Sequence, residues 1–152
     1  MGIVYHAQDT KLHRPVALKF LPPELTRDRE SKQRFIQEAR AASALDHPNI
    51  CTIYEIDETD HGKNFIAMAY YEGMTLKEKI KQGPLPVDDA MDIATQIAKG
   101  LRKAHAKQIV HRDIKSGNIM LSGSGKPVLM DFGLARTAAE GLTTTESFAG
   151  TL

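Results

Sequence analysis

Cysteine is nearly missing from this chain: Cys51 stands alone among 152 residues. No internal disulfide can form, and a single thiol fits a reducing compartment. Cys51 lies in the apolar run Ile50-Cys51-Thr52-Ile53 with no basic neighbour to favour its thiolate, so it reads as a small buried hydrophobe. No apolar run approaches the roughly 18 residues of a spanning helix, and the N-terminus lacks a signal-peptide pattern. This excludes a membrane span within these residues only. Charge of one sign is not in excess either: the formal net charge is +1, which gives no reason to expect nucleic acid or an anionic membrane as partner. Internal repeats are absent.

What remains is ordinary for a globular protein, with 41% apolar and 26% charged residues. At this length the chain can bury one sizeable core or carry two small lobes. Met1 to Ala7 alternates as a strand, and Val16-Ala17-Leu18-Lys19-Phe20 is a second strand with an embedded lysine, ended by Pro22-Pro23. From about Arg29 to Leu45 the period becomes helical, with Phe35, Ile36, Ala39, Ala42 and Leu45 on one face and Asp46-His47-Pro48-Asn49 as the stop. Two strands follow, about Thr52 to Asp57 and Asn64 to Tyr70, and Glu72-Gly73 breaks the second. Thr75 caps a short helix to Lys81.

A longer helix, about Val87 to Ala106, has acids near its start. Lys99, Arg102, Lys103 and Lys107 sit near its end, an order that suits the helix dipole and reads as a solvated face. Ile119 to Leu121 and Val128 to Met130 are expected to pair as a hairpin across Ser122-Gly123-Ser124-Gly125-Lys126.

The chemistry concentrates in His111-Arg112-Asp113-Ile114-Lys115-Ser116-Gly117-Asn118, where an acid, a cation and an amide share six residues. A second acid, in Asp131-Phe132-Gly133, follows Asp113 by 18 positions. Carboxylates beside a lysine and an asparagine can hold a divalent metal, steady a phosphate and accept a hydroxyl proton, the set of tasks in phosphoryl transfer.

This constellation, with Val16-Ala17-Leu18-Lys19 and Arg34-Phe35-Ile36-Gln37-Glu38-Ala39 upstream, closely resembles the catalytic domain of protein kinases. Its wording is most similar to the eukaryotic-like serine/threonine kinases of bacteria. The resemblance implies an α+β, two-lobed protein-kinase-like fold. The expected N-lobe, residues 1–68, is a small antiparallel sheet plus one helix; residues 69–73 form a hinge, and residues 74–152 a mostly helical, partial C-lobe.

It implies ATP and Mg2+ as cofactors, with catalytic roles for Lys19, Glu38, Asp113 and Lys115. Asp113 would accept or orient the substrate hydroxyl proton, Lys115 would touch the γ-phosphate, and Lys19 would grip the α- and β-phosphates with Glu38 as its partner. Asn118 and Asp131 would hold metal. Gly2 fits the last glycine of the phosphate-covering loop. Met68 matches the gatekeeper, the carbonyl of Ala69 and the amide of Tyr71 would bond adenine, and Val4, Ala17 and Leu121 would sandwich the ring. Lys115 favours serine or threonine over tyrosine as acceptor. The implied partners are protein substrates, with the kinase itself as an open alternative, and the expected location of the domain is cytoplasmic.

Against the family pattern the chain looks truncated at both ends, lacking the first two loop glycines and everything after Leu152. Ala69 replaces a common acid and Ser116 a frequent proline, while no catalytic position is lost. Thr143, Thr144, Thr145 and Ser147 are candidate phosphorylation sites whose added charge would lie near Arg112. The alternative function is a catalytically incompetent fragment or a nucleotide-binding scaffold.

Overall fold

The computed structural model describes residues 4–21 and 29–132. β1 (Val4–Asp9) and β2 (Arg14–Phe20) form an antiparallel hairpin. Asp9 builds its turn: the carboxylate accepts from the amides of Lys11 and Leu12 and pairs with Arg14 at 3.3 Å. β3 (Ile53–Glu58) and β4 (Asn64–Ala69) complete a four-stranded sheet of order β1-β2-β4-β3. Helix α1 (Arg29–Ser43) packs on β3, and Phe35, Ala39 and Ala42, spaced four and three apart, form its buried face.

The second half contains β5 (Gly73–Thr75), α2 (Leu76–Lys81), α3 (Val87–His105), a 3-10 turn at Ser116–Asn118, β6 (Ile119–Ser122) and β7 (Pro127–Leu129). Thr75 starts α2 with a capping box. Its hydroxyl accepts from the Glu78 amide at 3.2 Å, and the Glu78 carboxylate accepts from the Thr75 amide at 2.7 Å. α3 buries Ile97, Gly100 and Ala104.

The expected hairpin of β6 and β7 is part of a three-stranded sheet, β5-β6-β7. Gly73, which reads in the sequence as a strand breaker, is what lets β5 approach. At φ 149°, a Cβ there would lie 2.0 Å from the Leu121 carbonyl oxygen, so only glycine fits the pairing.

Two apolar clusters hold these layers, and neither follows the chain order of the lobes. Ala17, Phe35, Ala39, Ile66 and Met68 pack with Val128 from β7, while Ala42 and Leu45 join Ile97, Ile119, Leu121 and Leu129. The connection between α1 and β3 is stitched to β7 by two backbone bonds of 2.9 Å, Cys51 N to Leu129 O and Leu129 N to Asn49 O. The side-chain amide of Asn49, itself buried, donates to Gln96 of α3 at 3.0 Å and to the Pro127 carbonyl at 2.8 Å. The architecture is thus the α+β, two-lobed arrangement, with its halves interlocked rather than merely hinged. Among the described residues no helix is long and apolar enough to cross a membrane.

Candidate active site

The segment after α3 turns inward because Ile109 donates back to the Ala104 carbonyl at 3.0 Å and packs against the second cluster. His111 follows, 1% exposed, with its ring 4.6 Å from Phe132. Burial pushes its pKa down, so the imidazole is neutral at pH 7. Its Nδ1 accepts from the Asp113 amide at 3.3 Å, and the proton therefore sits on Nε2, which donates to the Met130 carbonyl at 2.7 Å. One ring thus ties the residue before Asp131 to the backbone of Asp113.

Asp113 is held from the following turn. Lys115 Nζ lies 2.6 Å from its Oδ2, and Asn118 Nδ2 donates to the same oxygen and to the Asp113 carbonyl, both at 2.9 Å. The Lys115 hydrogen bond, above all, holds the Asp113 carboxyl below the usual carboxylate range. Asn118 is buried and its own carbonyl accepts from Met130 at 2.8 Å. With Nδ2 turned to Asp113, Oδ1 is the Asn118 atom left for a cation. Arg112 and Asp131, at φ 65° and 59°, both adopt the left-handed backbone region, which is uncommon outside glycine.

Lys19 lies on β2 between Val4 of β1 and Ile66 of β4. Its Nζ is 2.7 Å from Asp131 Oδ1. Glu38 on α1 instead pairs with Arg112, at 3.1 Å. The expected pairing of Lys19 with Glu38 is therefore replaced by two others. The Lys19 and Asp131 side chains, 14% and 25% exposed, are more withdrawn from water than the Arg112–Glu38 pair at 45% and 27%. A half-buried ammonium takes the carboxylate within reach, and the more exposed guanidinium takes the other. Arg112 as partner of Glu38 had no signal in the sequence.

Of the residues expected to meet adenine, Ala17, Met68, Ala69 and Leu121 are all buried, and Ala17 stands opposite Met68 in the sheet register. Val4 is 52% exposed at the edge, and Tyr71 is half-buried, with burial pushing its hydroxyl pKa up. His6 of β1 stacks on Tyr70 at 4.1 Å, a link between strand and hinge that sequence reading missed. Behind Met68 a cavity of about 10 Å³, lined by residues including Cys51, Asp131 and Phe132, has room for one water at most. The Cys51 thiol there is pushed up to about 12, first by burial and then by Asp131, which makes it the inert hydrophobe expected. Gly2, Gly133 and the sites Thr143, Thr144, Thr145 and Ser147 lie outside the described residues.

The whole chain, residues 1–152, matches the family model described as protein kinase domain. The serine/threonine-protein kinase PrkC of Bacillus subtilis is 46% identical over 148 residues, covering 97% of this chain and 22% of that protein. PknB of Mycobacterium leprae is 37% identical over 153 residues, 98% and 25% respectively. Among solved structures, the kinase domain of PknI from M. tuberculosis superposes with a TM-score of 0.80 at 35% identity, covering 89% of this chain and 54% of that one. The chain therefore spans a quarter or less of these curated relatives and just over half of that solved domain. With its whole length matched and its fold shared, the chain belongs to the protein kinase family and is similar to the serine/threonine kinases of bacteria.

Proposed function

We propose that this domain transfers the γ-phosphoryl group of Mg-ATP to serine or threonine hydroxyls of protein substrates in signal transduction. The observation that supports this best is the way Asp113 is held. Both described contacts of its side chain, from Lys115 and Asn118, go to Oδ2. Oδ1 is left to accept a hydrogen bond from a substrate hydroxyl. Lowering the pKa of a carboxylate makes it a weaker base at the start of the reaction, so Asp113 chiefly orients the hydroxyl and takes its proton late.

The donor set fits magnesium. Asn118 Oδ1 and the Asp131 carboxylate are hard oxygen donors, and among the described residues no group of three or more histidine, cysteine or acidic side chains is arranged for a metal. That suits an ion whose shell is completed by phosphate and water rather than by a protein cage. When bound, the ion would neutralise charge on the transferring phosphoryl group. Lys115 would lie along the γ-phosphate, and Lys19 would exchange or share Asp131 to reach the α- and β-phosphates, with Glu38 positioned on α1 behind it. The buried faces of Ala17, Met68 and Leu121 would pack the base.

The test uses the intact kinase that carries this chain, radiolabelled ATP and a mixed-sequence peptide library, followed by acid hydrolysis. Phosphoserine and phosphothreonine are the expected products. Phosphotyrosine, or release of free phosphate without transfer, would overturn the assignment.

A further inference from the structure

The basic end of α3 meets other cations in the fold. Gln96, Gly100, Lys103 and Lys107 fall on one stripe of α3 and its closing turn. Gln96 Oε1 accepts from Asn49 at 3.0 Å, a Cβ added at Gly100 would lie 3.4 Å from the Asn49 carbonyl oxygen, and Lys107 Nζ donates to the Ala44 carbonyl at 2.6 Å. Lys103 stands between these anchors, where α3 runs along the connection that carries His47. The same Asn49 amide binds the Pro127 carbonyl at 2.8 Å, which brings Lys126 to this seam.

Arg102, Lys103 and Lys126 are exposed, and their fields add to burial in lowering the pKa of His47. Among the described residues none of the three has a carboxylate at ion-pair distance, whereas Lys19, Lys32, Arg112 and Lys115 each have one. Two acids border the seam: Asp46, adjacent to His47, and Asp92, whose carboxylate accepts from Gln96 at 2.7 Å. The helix dipole accounts for Arg102 and Lys103 in the last turn. It does not account for Lys126, which comes from the turn between β6 and β7. Nor does overall charge, at +1, account for the convergence.

We propose that this seam, Arg102, Lys103 and Lys126 around His47, is a docking surface for an acidic segment of a partner protein. The charges form a small group bordered by Asp46 and Asp92. A short anionic peptide can lie across such a group, whereas a continuous anionic surface would also meet the two acids. On the protein-kinase reading the segment belongs to a substrate, and that attribution alone rests on the reading.

The test measures fluorescence anisotropy of a labelled glutamate-rich peptide with the intact kinase. Lys103→Glu with Lys126→Glu is expected to weaken binding about tenfold or more at low salt, and added salt to weaken binding to the unmodified kinase. Lys103→Arg with Lys126→Arg should retain it. Unchanged affinity in the charge-reversed kinase overturns the surface. So does a reversal that abolishes binding to phosphatidylglycerol vesicles but leaves peptide binding intact. Fusing the same segment to a phosphorylatable peptide should lower KM in the unmodified kinase and not in the reversed one, with kcat unchanged. Equal KM in both overturns the attribution to a substrate, while loss of all phosphoryl transfer with peptide binding retained overturns the kinase reading and leaves the surface standing.

Discussion

Asp113 finds its side-chain partners two and five residues along the chain, whereas Glu38 meets Arg112 across 74. The two regions hold their charges differently. In the loop from His111 to Asn118, a short spacing and a buried histidine leave the carboxylate few alternatives. On the α1 wall, the partner of a charge depends on where a whole helix sits and on which opposite charge is nearer. Local constraint makes the first region a fixed instrument. The second is a set of pairs between elements distant in the chain: Lys19 holds Asp131 while Arg112 holds Glu38.

Substitutions can break this contrast or sharpen it. Short of changing Asp113 itself, the largest effect is expected for Lys19→Met in the intact kinase, which removes the cation proposed to grip phosphate and should lower the transfer rate about a hundred- to a thousandfold in initial-rate assays. Asn49→Ala should come next. It removes the side-chain ties of the connection after α1 to α3 and β7, while the backbone bonds to Leu129 remain. The Pro127 carbonyl and the half-buried Gln96 amide are left without this donor, for a loss of about 1–3 kcal/mol read from denaturant unfolding. The catalytic-loop bonds should survive it.

Lys115→Met acts on the local side. Its hydrogen bond is the main cause of the lowered Asp113 pKa, so without it the carboxylate takes up a proton sooner as pH falls. The acid limb of the kcat profile should then move to higher pH; a limb that stays in place would separate Asp113 from the chemistry. The smallest effect belongs to the Arg112–Glu38 pair. Half-exposed as it is, a double-mutant cycle with Arg112→Gln and Glu38→Gln should give a coupling below about 1 kcal/mol in stability. A much larger coupling would mean that the α1 wall is as fixed as the loop.

Much of this was legible before the structure. The strand at Val16–Phe20 and the helical period from Arg29 were legible as elements, and the residue types in His111–Asn118 singled out Asp113, Lys115 and Asn118. Their roles came from the family resemblance, and their mutual contacts come from the fold. Three features were not legible, each for a physical reason. Gly73 carries no signal for a strand, because its role depends on the closeness of Leu121. The exchange of partners at Glu38 depends on distances between elements far apart in the chain. Asn49 looks like part of a helix stop, and only the folded chain turns its amide toward Gln96 and Pro127.

The account rests on Asp113 acting in the chemical step rather than in binding. Single-turnover transfer and ATP affinity, measured side by side for the intact kinase and its Asp113→Asn variant, separate the two. A rate lower by about a hundred- to ten-thousandfold with unchanged ATP affinity is expected. Equal rates, or a loss explained wholly by weaker ATP binding, would contradict it.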